Sequence, residues 1–124
     1  MQWLAIALGG GLGAMARFWA VSTITPLLNY KFPVGTFAVN IIGSFIIGGA
    51  YVFFVEKTHL APEWRLFFIT GLLGGFTTFS SFSLEILQLS QEGHFANAIG
   101  YALGSVTLGL LAAYAGLLLA QKIF

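Results

Sequence analysis

Asn40 is a carboxamide in an uncharged apolar stretch. Downstream, the run from Gly74 to Ser83, GGFTTFSSFS, puts hydroxyls and aromatic rings where a membrane helix would carry Leu and Val. Asn40 offers two N–H donors and one acceptor. The ring edges of Phe79 and Phe82, three residues apart, carry partial positive charge. Donors and ring edges with no ring of acids suit a small anion, because they attract it without a fixed charge that would trap it. Stripping such an ion of water costs on the order of tens of kcal/mol in an idealised low-dielectric medium, so several partial donors must act together. This chemistry leads to a small anion and stops there.

The same run predicts a broken helix. Two glycines followed by paired hydroxyls are hard to keep regular, and broken backbone at membrane depth survives only where protein or water satisfies it. In ion-handling proteins such breaks commonly mark the ion site, since freed amides and carbonyls become ligands.

Three polar faces recur at helical spacing: Thr36, Asn40, Gly43 and Ser44; Thr78, Ser81, Glu85 and Gln88; and Asn97, Tyr101, Ser105 and Gly109. Any one of them is explained by interhelical hydrogen bonding, the ordinary use of polar residues in membrane bundles. Together they predict the lining of one or more narrow polar pathways. Arg17 and Glu85 are the charges placed well inside apolar spans, and intramembrane charge by default points to function. Arg17 sits near a span end, where snorkelling toward the headgroups is an equally good account. Glu85 is deeper and on a polar stripe, which favours water access or a hydrogen-bonded role.

The elements that must position these groups are legible in composition. The chain has 124 residues, 58% hydrophobic and only 7% charged. That leaves too little polar surface for a soluble globule and implies an integral membrane protein. Cysteine is absent, so disulfides and thiolate metal sites are excluded. There is no aspartate, and both histidines, His59 and His94, fall in predicted loops, so an enzyme would lack most of its usual groups. A net charge of +1 gives no field for nucleic acid.

A hydrocarbon core of about 30 Å takes about 20 helical residues. On that scale the chain divides into spans of about 3–21, 33–55, 62–89 and 95–120, a single four-helix membrane domain over 1–124 with short loops. Pro33 and Pro62 suit helix starts, where a missing amide hydrogen costs nothing. Ala14-Met15-Ala16 resembles a signal-peptide cleavage site, but no basic residue precedes the apolar run and Arg17 follows it, so a retained first helix is expected. Small residues four apart (Gly9 and Gly13, Ser44 and Gly48, Gly71 and Gly75, Gly100 and Gly104, Ser105 and Gly109) predict close helix contacts.

Flanking charge is nearly balanced. Lys57, Arg65 and Lys122 fall on the side of the termini, Arg17 and Lys31 on the other. Orientation follows a clear Lys/Arg excess on cytoplasmic loops, and three against two supplies none. Two readings stay open: a fixed topology with a weak signal, or insertion both ways and an antiparallel homodimer.

The chain resembles the Fluc/CrcB family of fluoride channels over nearly its full length. The likeness is carried by Gly13-Ala14-Met15-Ala16-Arg17, by Pro33-Val34-Gly35-Thr36 leading to Asn40 and Ile41-Ile42-Gly43-Ser44, and by the run Gly74 to Ser83. The resemblance implies an antiparallel, dual-topology homodimer of four-helix subunits in the cell's inner membrane, with two fluoride pores lined by both copies. It implies that Asn40 is a pore donor, that Phe79 and Phe82 form an aromatic box, and that Tyr101 and Ser105 line the pore. Thr36, Thr78, Ser81 and Glu85 are further pathway candidates, and Arg17 is a candidate structural charge. It also implies a structural Na⁺ held by the backbone carbonyls of Gly74 and Thr77. Gly109 departs from the pattern, standing where some members carry another hydroxyl.

Two other functions compete. A small dual-topology drug/proton antiporter needs a carboxylate on its first span, and here that span has Arg17 and no acid. A non-transporting assembly subunit would explain the glycine packing but leave the polar faces without a purpose.

Overall fold

Proline and glycine punctuate the helices. Pro62 is the first residue of its helix and Pro33 immediately precedes another, as a residue with no amide hydrogen to donate should. At the far end, Gly93 takes φ 81°, a left-handed turn that lets the His94 amide reach back to the Leu89 carbonyl at 2.8 Å and closes the helix.

The computed structural model describes residues 1–27 and 32–124; Lys31, counted above among the flanking charges, lies outside them. Helix α1 is Gln2–Ile24, finished by a 3₁₀ turn at Thr25–Leu27. Helix α2 is Val34–Tyr51 and runs on as wider π-helical turns over Val52–Lys57. Helix α3 joins Pro62–Arg65, a π-helical stretch Leu66–Leu73 and a last turn Gly74–Phe76. Helix α4 is Ser80–Gln91 and α5 is Phe95–Ile123. Grouped by continuity, Gln2–Leu27, Val34–Lys57, Pro62–Gln91 and Phe95–Ile123 are each long and apolar enough to cross a membrane. The protein is therefore an all-helical, multi-pass membrane protein, and its third span is the broken pair α3 and α4.

Glycine decides which helices touch. A Cβ on Gly13 would collide with the Leu72 carbonyl, and one on Gly75 would lie 2.5 Å from the Gly10 carbonyl. Gly9 and Gly71 meet in the same way, so α1 and α3 pack backbone against backbone through both small-residue pairs. In lipid, where no hydrophobic effect drives helices together, such close approach is the main attraction available. Helices α2 and α5 use Gly48 against Ala113 and Gly116 against Phe45. Gly100 differs: among the described residues nothing lies within 4 Å of its would-be Cβ. The buried cluster of Phe82, Leu89, Ala98 and Tyr101, backed by Phe32 and Phe37, packs α4 onto α5.

The break is not at the glycine pair. Gly74 and Gly75 keep helical backbone, and the chain opens only at Thr77, whose φ −89° and ψ 158° are extended. The physical reason is the packing just described: Gly75 is committed to α1, which holds the turn regular. The π-helical stretch just upstream has no evident signature in the sequence. It lies along the surface that Gly9 and Gly13 present.

Candidate functional site

Three helices meet at the opening between Phe76 and Ser80. From α2, Asn40 donates through Nδ2 to the Thr78 carbonyl at 3.1 Å, and its Oδ1 accepts the Thr78 amide at 2.9 Å. One carboxamide thus serves as the missing backbone partner for a whole residue. The pairing also fixes which way the amide group points, since the reverse would set donor on donor. Thr78 Oγ1 then accepts the Ser81 amide at 3.2 Å and caps the start of α4. A buried backbone group left without such a partner costs about 1–3 kcal/mol, more than a typical net hydrogen bond returns.

These bonds release carbonyls. In a continued helix the Thr78 amide would bond to Gly74 O and the Ser81 amide to Thr77 O; here both amides are directed elsewhere. The Thr77 hydroxyl bonds back to Leu73 O at 2.9 Å, and its methyl covers Gly43, so its side chain serves packing. No cluster of His, Cys, Asp or Glu able to hold a metal occurs among the described residues. Freed backbone oxygens at Gly74 and Thr77 are the donor set present, and they fit a hard monovalent cation. From α1, Arg17 Nε donates to Gly75 O at 3.1 Å.

Beside the break runs a groove of about 460 Å³. Its lining brings together Asn40, Ser44, Gly74, Thr77, Thr78, Phe79, Phe82 and Ser105. Phe79 is 78% exposed and Phe82 only 9%; their ring centroids are 5.6 Å apart at 44°. Ser105 Oγ is buried with no hydrogen-bond partner among the described residues.

The remaining candidates form a second cluster one helical turn away. Glu85 accepts from Thr36 Oγ1 at 3.1 Å and from the Tyr101 hydroxyl at 3.4 Å. Tyr101 is fully buried and Thr36 nearly so. The carboxylate is thereby held by hydroxyls from α2 and α5. Phe82 links the two clusters, its ring 5.0 Å from that of Tyr101. The structure thus divides the expected pathway residues into a groove and a carboxylate junction. Ser81 stands 3.5 Å from Arg17 Nη1, outside the groove lining. Gln88, the last of its stripe, is exposed. Sequence reasoning missed the Leu73 carbonyl as the acceptor for Thr77; a hydroxyl four residues after a carbonyl on a helix is the signal for it.

Four apolar spans, the third broken beside an aromatic and hydroxyl-lined groove, define a small multi-pass membrane protein built around a helix break. The family model described as CrcB-like protein, Camphor Resistance (CrcB) matches residues 4–117, and the chain belongs to that family. It is similar to the Fluoride-specific ion channel FluC of Saccharophagus degradans, 49% identical over 121 residues, which are 98% of this chain and 90% of that relative. The protein of the same name from Solibacter usitatus is 45% identical over 122 residues, covering 98% of this chain and all of that relative. That of Hahella chejuensis is 46% identical over 118 residues, 95% and 93% of the two chains.

Proposed function

We propose that this chain is a fluoride-selective ion channel that lowers cytoplasmic fluoride by passive export, with no enzymatic step. The observation that carries the reading is the groove, where Asn40, Phe79, Phe82 and Ser105 converge beside the break. Donors and ring edges there replace water around a small anion without a fixed cation. Full-length similarity to proteins named fluoride-specific channels supplies the choice of ion. Thr78 belongs to the groove, and Thr36, Glu85 and Tyr101 extend the path beyond the aromatic pair.

The functional unit in this reading is an antiparallel, dual-topology homodimer in the cell's inner membrane, each copy one four-helix domain over 1–124. Support comes from the groove's lining: Asn40, Ser44 and Thr78 border a groove that is open along a membrane-spanning segment, and hydrocarbon does not satisfy polar groups there. A second copy related by a two-fold axis closes both grooves at once. A structural Na⁺ belongs to the same reading, with the Gly74 and Thr77 carbonyls of both copies as ligands and its charge drawing the four oxygens together.

Liposomes reconstituted with the protein and loaded with fluoride should release it to a fluoride electrode, with chloride-loaded vesicles as the comparison. Equal chloride release, or no fluoride release, defeats the channel reading. Loss of flux on replacing Na⁺ by a large organic cation is expected, and indifference counts against the cation site. Single cysteines placed in the 58–61 loop should be labelled from both membrane faces. Labelling from one face alone rejects dual topology.

A further inference from the structure

We propose that Arg17 is a positioning residue that bridges the break in the third span and so sets the geometry of the ion path. Snorkelling would turn its head group toward the membrane surface. Instead Nε donates to the Gly75 carbonyl at 3.1 Å, and Nη1 stands 3.5 Å from Ser81 Oγ, at the outer limit of a hydrogen bond. The two acceptors lie on opposite sides of the opening: Gly75 in the last turn of α3, Ser81 in the first turn of α4. Among the described residues no carboxylate pairs with Arg17, so its bonding is directed to the break.

The anchorage behind it is rigid. Gly75 is pressed against Gly10 of α1, the helix that carries Arg17, so the guanidinium and the carbonyl it holds belong to one packed unit. Asn40 fixes Thr78 from α2, and Arg17 fixes the flanking residues from α1. The break is therefore clamped from both sides, and Phe79 stands between the clamped points. A guanidinium suits this task because its planar fork reaches two acceptors in fixed directions, whereas an ammonium is a point charge.

Arg17→Lys separates clamp from charge, since it keeps the positive charge and the ability to snorkel. The clamp predicts that this variant still elutes as the parent assembly in detergent but loses about tenfold or more of fluoride efflux, the scale of one lost hydrogen bond to a charged group. It also predicts faster amide hydrogen exchange confined to peptides covering 74–83, with parent-like protection across 95–123. Parent-like efflux and exchange would overturn the proposal in favour of snorkelling. Loss of protection throughout the chain would overturn it in favour of a general folding role. Should Arg17→Lys fail to fold, Ser81→Ala removes only the contact beyond the opening. Local deprotection of 74–83 in that variant supports the clamp, and an unchanged exchange profile sinks it. The efflux readout rests on the fluoride-channel reading and the exchange readout does not. A parent that fails to conduct fluoride therefore defeats that reading and leaves the clamp to be judged by exchange.

Discussion

Phe79→Ile is expected to abolish most fluoride flux while leaving the fold intact. The Phe79 ring is 78% exposed, and its aromatic contact is with Phe82 at 5.6 Å, so its removal takes little from the folded chain. Isoleucine keeps the bulk and loses the positive ring edge that would face an anion. Phe82→Ile should cost flux and stability together. That ring is buried in the α4/α5 cluster and packs on Tyr101 at 5.0 Å, a contact worth about 1 kcal/mol beyond its buried area. Phe76→Leu is the control. Phe76 precedes the opening and lines an apolar crevice with Ala16, Ile46 and Phe68, where leucine is tolerated. Efflux from liposomes and thermal melting in detergent separate the two effects. Parent-like flux in both Phe79→Ile and Phe82→Ile would end the aromatic-box reading.

Asn40→Asp should be the second severe lesion, and for a different reason. The substitution preserves the acceptor for the Thr78 amide but replaces the donor to the Thr78 carbonyl by a second oxygen. The carbonyl then loses its partner and meets a like charge. The unpaired group alone costs about 1–3 kcal/mol. A carboxylate in the groove also repels the anion the groove is proposed to take. Both melting temperature and fluoride efflux should fall, and Asn40→Gln, one methylene too long for the two-point pairing, should fall partway in both. An Asn40→Asp protein that melts and conducts like the parent would show that the carboxamide has neither role.

The sequence by itself determined four segments long and apolar enough to cross a membrane, because hydrocarbon thickness sets the length of an apolar helix whatever its neighbours do. It also marked the run in which the third span opens, since paired glycines and hydroxyls set Gly74 to Ser83 apart, though it gave no sign of the π-helical stretch before it. The Gly9/Gly13 and Gly71/Gly75 contacts were legible as spacing, for the same geometric reason that places residues four apart on one face. Tertiary structure decided the rest. The opening falls at Thr77 and not at the glycines because α1 presses on Gly75. Asn40 pairs with Thr78, Arg17 with Gly75 and Thr36 with Glu85 across separations of 38, 58 and 49 residues. A polar stripe shows that a helix needs a partner but not which atom answers it. That atom is set by how helices rotate against one another, a property of packed backbones and of no single segment.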